Sequence, residues 1–201
     1  MSLLINKIIG YDPSNHPLYF LDANVWIAAL KNNLYNNADH KEQKYIDFFD
    51  AIIQLNILST SVPKKKIKAP KIVMTSILLS EIINAYLRNI AMPLFFNDNK
   101  HHDFKKEYRE EIYSDYDKQL KFITTDIQAF NDYLLLIDDN FVNIGINDLL
   151  TSLDRKNDFN DLYYYKLFKD KGIAIVTEDK DFCYDDIVII TNNENLKRLI
   201  K

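Results

Sequence analysis

The chain has 201 residues, a single cysteine (Cys183) and a formal net charge of −4. One cysteine excludes an internal disulfide and fits a reducing compartment, so a cytoplasmic location is expected. The acidic balance excludes a uniformly basic nucleic-acid binder, so any contact with a polyanion must come from local basic patches or bound cations.

A chain of this length buries about 70% of its unfolded surface and is expected to form one domain, 1–201, without a structural metal. No apolar stretch approaches the roughly 20 residues of a membrane span. The opening "MSLLINKIIGYD" lacks a signal peptide's basic start and long apolar core. No membrane contact is therefore expected.

In chain order, "LYFL" (18–21) reads as a short strand buried on both faces. Asp22 ends it, and Asn24 is placed to N-cap the helix that follows, "VWIAALKNNL". Apolar residues at 45, 46, 48, 49, 52, 53 and 55 give helical periodicity over 41–58. "SVPKKKIKAP" (61–70) is a loop, and "KIVMT" (71–75) a second buried strand. Thr75 or Ser76 then caps a helix over 77–90, with Pro93 beyond its end. Residues 95–140, charged early and apolar late, predict a helical insertion that packs on the core or forms a homodimer face. "FVNIGI" (141–146) reads as extended and "NDLLTSL" as a helical turn or two. A helix over 158–172 ends at Gly172, and "IAIVT" (173–177) and "IVII" (187–190) are two more buried strands.

Short apolar strands alternating with helices predict an α/β fold, a three-layer α/β/α arrangement around a central parallel sheet of about four or five strands. Sites in such folds lie at the carboxyl ends of the strands.

Four acids from four segments are directed to that edge. Asp22 ends the first strand, and Asp179 lies just past "IAIVT". Asp161 starts a helix whose far end feeds that strand, and Glu81 sits about one turn into the helix leaving "KIVMT". Taken singly, each is more often a cap or a complement to the helix dipole. Taken together, they would repel one another and raise each other's pKa values unless a cation neutralised them. All-oxygen donors suit Mg²⁺ or Mn²⁺, and the four histidines show no zinc-ligand spacing.

Three stretches carry a family resemblance. "LYFLDANVWI" resembles the strand–Asp–x–Asn–helix opening of the PIN domain, the nuclease family that includes the VapC-type toxins of toxin–antitoxin modules. "TSILLSEIINAY" resembles its helix bearing a lone Glu. "DFNDLYYYKLFKDKGIAIVTEDKDF" resembles its Asp-led helix, Gly, strand and T-x-D-x-D-F ending. The resemblance covers most of 18–90 and 141–190 but not 95–140. It places Asp22, Glu81, Asp161 and Asp179 on the family's acidic quartet, both as catalytic residues and as metal ligands. Asp181 falls among the metal-binding acids, and Asn24, Thr177 and Asp158 fall on supporting positions. Ala23 stands where the family often has a hydroxyl residue. The resemblance implies a Mg²⁺- or Mn²⁺-dependent ribonuclease with RNA as substrate, and, in a toxin, an antitoxin protein as partner.

The alternative of another class is a non-catalytic module of the same fold that binds RNA or protein. Such a module would be expected to lose acids from the quartet, and all four are present. A haloacid-dehalogenase-type phosphotransferase would need a second Asp at position 24, where Asn24 stands. "PKKKIK" (63–68) could touch phosphates, and "YYY" (163–165) could stack bases. A solvated loop and a helix with core-facing rings explain them as well, and Cys183 has no evident base partner.

Overall fold

The computed structural model describes residues 4–35, 38–61, 69–153 and 158–198. The lysine run 63–68 lies outside the described residues. Six strands form one sheet with every pair parallel: β1 (Leu4–Lys7), β2 (Leu18–Leu21), β3 (Lys71–Met74), β4 (Leu134–Leu136), β5 (Ile173–Val176) and β6 (Val188–Thr191). Their spatial order is β1-β6-β5-β2-β3-β4. A parallel pair needs a crossover, and helices fill the connections from β2 to β5: α1 (Ala23–Tyr35), α2 (His40–Ser61), α3 (Ser76–Tyr86), α4 (Met92–Phe96), α5 (Tyr116–Gln128), α6 (Phe141–Ile144), α7 (Ile146–Ser152) and α8 (Phe159–Phe168). A loop joins β5 to β6, and α9 (Glu194–Lys197) follows the last strand.

The central strand β2 shows why there are three layers. Consecutive strand residues point to opposite faces. Tyr19 meets Phe48 of α2 edge-on, with ring centroids 5.4 Å apart. Phe20 meets Tyr164 and Phe168 of α8 on the other face, each at 4.6 Å. Both β2 residues are buried, as is all of β5. On the α2 face, Trp26 of α1 packs against Phe49 at 5.0 Å, and α1 in turn packs on α3. Truncating Phe20 to Ala would cost about 3–5 kcal/mol, because it keys two layers together.

The fold class agrees with the sequence reading, and several local expectations do not. Helix α1 starts at Ala23, so Asn24 lies inside the first turn and is exposed rather than capping. The Asp22 carbonyl already accepts from the Val25 and Trp26 N–H groups, which fixes the helix start two residues earlier than expected. Pro93 does not stop the second helical run. After Tyr86 the chain widens into a π-helical stretch, Leu87–Ala91, and Met92 N–H bonds to the Leu87 carbonyl. Pro93 then sits in the first turn of α4, where its missing N–H leaves no gap.

The expected extended stretch "FVNIGI" is helical over Phe141–Ile144, with Gly145 at φ +80° turning the chain into α7. The segment 95–140 is helical only in part. A π-helical turn at Phe104–Arg109 and helix α5 give way to strand β4, which pairs with β3 through Ile72–Leu134 and Val73–Leu135. Its leucine run completes the sheet edge instead of extending α5, so this segment is continuous with the core. Strand β1 is a further addition to the sequence reading. It pairs with β6 because the edge of β6 would otherwise be bare. Thr75 caps α3 as expected, its Oγ1 accepting from Leu78 N–H at 3.1 Å. No helix among the described residues is long and apolar enough to cross a membrane.

Candidate functional site

The site is built where β2 and β5 end side by side. Asp22 N–H donates to the Val176 carbonyl at 3.0 Å, which extends the ladder one residue past the strands. The same residue turns the chain into α1. Asp22 is thus held by a sheet on one side and a helix start on the other, and its carboxylate has little freedom to leave.

Thr177 is the pivot. Its backbone N–H donates to the Ile190 carbonyl of β6 at 3.2 Å. The Oγ1 hydroxyl donates to Asp22 Oδ2 at 2.8 Å and accepts from Asp179 N–H at 2.9 Å. One buried hydroxyl therefore ties the first acid to the last. Asp179 Oδ1 then accepts from Asp181 N–H at 2.8 Å, which curls the following turn. Asp181 itself is exposed, and its charge is not among those that chiefly raise Asp22 or Asp161.

Helix α8 delivers Asp161. Asp158 is its N-cap, with Oδ1 accepting from Asp161 N–H at 2.9 Å. That bond assigns Asp158 a definite local role and leaves its charge beside the cluster. From α3, Glu81 reaches toward the same edge. Tyr164 Oη donates to Glu81 Oε2 at 3.0 Å, and the Asn160 side chain bonds to it as well.

The electrostatics show the convergence directly. Burial pushes the Asp22 carboxyl up to about 6, with Glu81 and Asp179 adding to it and the Thr177 hydroxyl opposing. Asp161 is pushed up to about 8, first by burial and then by Asp158, Asp179, Asp22 and Glu81 together. Glu81 is raised by burial and by Asp158, while the bonds from Tyr164 and Asn160 pull it down. Asp161 therefore lies in the field of the other three acids and of Asp158, and Asp22 in that of Glu81 and Asp179. Like charges this close favour protonation unless a cation intervenes.

Among the described residues, no three His, Cys, Asp or Glu side chains are gathered tightly enough to hold a metal ion as they stand. The acids share a field without forming a closed cage. The donor chemistry nevertheless fits a hard cation: oxygen ligands only, few of them, and a charge surplus that a divalent ion would relieve. Asn24 lies exposed on the first turn of α1, next to Asp22 in the chain.

Three supporting residues carry no functional signal in the sequence alone. Tyr164 has an almost fully buried ring that touches Phe20, and its hydroxyl marks the position of Glu81. Tyr45 of α2 donates to the Glu178 carboxylate and accepts from Asn192 N–H at 2.7 Å. Glu178 is thereby turned to the α2 side, and the next residue, Asp179, is left for the cluster. For Tyr164 the stretch "YYY" is visible but points to stacking. Nothing local in the sequence pairs Tyr45 with Glu178, which stand 133 residues apart. Asp139, after β4, accepts from Ser76 Oγ through one carboxylate oxygen, and its other oxygen is buried without a partner among the described residues.

Compared with known protein families, curated proteins and solved structures, the chain matches none at a significant level.

Proposed function

We propose that this protein is a divalent-metal-dependent nuclease of the PIN type that hydrolyses phosphodiester bonds in RNA. The observation that carries the proposal is the gathering of Asp22, Glu81, Asp161 and Asp179, from four separate segments, at one edge of the sheet, where burial first and neighbouring acids second raise Asp22 and Asp161. Such a cluster is a costly arrangement for a fold that does not need it, and perturbed carboxyls of this kind concentrate at functional sites.

Asp22, Glu81, Asp161 and Asp179 would hold the cation. Mg²⁺ or Mn²⁺, when bound, supplies activation of water as the nucleophile and stabilisation of the leaving oxygen. The chain's own part is positional. Thr177 fixes Asp22 and Asp179 relative to each other, and Tyr164 with Asn160 fixes Glu81. Asp161, whose carboxyl burial and the neighbouring acids raise, is the ligand whose ionised form a bound cation would favour most. If the chain acts as a toxin, an antitoxin protein is its partner.

The test is cleavage of a mixed RNA pool with Mn²⁺, with Mg²⁺ and with EDTA, for wild type, Asp22→Asn and Asp179→Asn. Metal-dependent cleavage by wild type alone supports the proposal. Cleavage by all three proteins, or by none, contradicts it.

A further inference from the structure

Helix α8 presents a stripe that the acid cluster does not use. Asp161, Tyr165 and Lys169 are four residues apart, so they lie one above another on one face. Of the three adjacent tyrosines, Tyr163 and Tyr164 are buried in the core, and Tyr165 alone is partly open. Its ring stacks on Tyr184, at 4.2 Å and 6° between planes. Tyr184 belongs to the loop that follows Asp179, so the aromatic pair borders the acid cluster. Lys169 Nζ stands 5.9 Å from the Tyr165 ring centre.

A cleft of about 310 Å³ opens beside this stripe, between α8 and the α6–α7 segment. Tyr165, Lys166 and Lys169 line one side, and Asn140, Asn143 and Asp148 line the other, the Asp148 charge being met by Lys166. Lys166 is tied to Asp148 at 2.6 Å, which leaves Lys169, exposed at the end of the helix, as the cation among the described lining residues whose charge is open to a ligand. From Asp161 to Lys169, the C-cap residue just past the helix, the chain rises about 12 Å. An acid cluster that repels polyanions needs a cation nearby to seat one, and here it lies on the same helix face.

We propose that the α6–α8 cleft is a subsite for single-stranded polynucleotide. It would seat a phosphate about 12 Å along α8 from the bond cleaved at Asp161, with Lys169 as the phosphate contact and the Asn140 and Asn143 amides and the Tyr165 ring facing the nucleoside. This rests on the nuclease reading for its purpose, but not for its detection, because binding is measured without catalysis.

Fluorescence anisotropy of a mixed-sequence single-stranded RNA oligomer, and of the DNA oligomer of the same sequence, is followed across a salt series in EDTA. The proteins are wild type, Lys169→Ala, Lys169→Glu, Asn143→Ala and, as a remote control, Lys118→Ala. Removing one phosphate-binding cation makes the slope of log K against log salt shallower by about 0.7 for a single strand. Lys169→Ala should show that change, and Lys169→Glu should weaken binding further. Asn143→Ala should weaken binding with the slope kept, and Lys118→Ala should do neither. The slope change in both arms places the contact on phosphate; a weaker affinity for DNA at equal slope change places the amide contacts on the ribose. Unchanged affinity and slope in Lys169→Glu would overturn the subsite. A wild type that binds in this way but never cuts would leave the subsite standing and remove the nuclease reading, so the two fail separately.

Discussion

Replacing Asp161 by Asn should stabilise the metal-free protein, and the gain should grow with pH. Asp161 is pushed from an ordinary 3.8 up to about 8 in the folded protein. A raised acid contributes stability that is fully present below the unfolded value, near 3.8, and lost as pH rises toward 8. The whole interval is worth roughly 6 kcal/mol at 1.36 kcal/mol per pH unit. Asp161 is partly exposed and shares its field with Asp22, Glu81 and Asp179, which would relax once it became neutral. About half that value, ~3 kcal/mol at pH 9, is therefore the expected gain for Asp161→Asn, with ~1 kcal/mol at pH 5. The amide matches the carboxyl in shape and opens no cavity. Urea unfolding in EDTA at pH 5, 7 and 9 measures it. A variant no more stable than wild type at pH 9, or one with an equal gain at pH 5 and pH 9, would refute the electrostatic reasoning.

Thr177→Val should cost about 1–3 kcal/mol in urea unfolding, because Asp179 N–H loses its buried acceptor, and Thr177→Ser should recover most of it. Tyr164→Phe keeps the ring against Phe20 but releases Glu81, so the Mn²⁺ midpoint in a thermal-shift titration should rise roughly 10-fold with metal-free stability changed by only about 1 kcal/mol. Tyr45→Phe removes the hydroxyl that accepts from Asn192 N–H and donates to the Glu178 carboxylate. It should destabilise the protein by about 1–3 kcal/mol by the same unfolding measurement.

Much of the site is legible in the sequence because it is local. Strand, acid and helix are contiguous at 18–35, and the Thr177-x-Asp179 spacing sets the turn that binds one acid to the other. The parallel sheet is legible because buried strands read as unbroken apolar runs, as in Ile173–Val176. The edges are not. β1 carries Asn6 and Lys7 in a half-exposed strand, and β4 is a three-residue run reached from an amphipathic helix through a short turn without Gly or Pro. Both become strands only because a neighbouring edge needs pairing, which is tertiary information. Asn24 reads as a cap but is not one, because the residue just past the strand can itself serve as the helix start, as Asp22 does. The tyrosine contacts to Glu81 and Glu178 span 83 and 133 residues and leave no local pattern.

The central claim is that the four acids hold a divalent cation, and thermal unfolding with and without Mn²⁺ tests it most directly. At about 100 times its dissociation constant, a ligand adds roughly 2.7 kcal/mol to the folded state. For a chain of this size that is a rise of about 5–11 °C. Wild type should show that rise at pH 7.5, and Asp22→Asn should fold but show little or none of it. Wild type that melts at the same temperature with and without saturating Mn²⁺ would contradict the account.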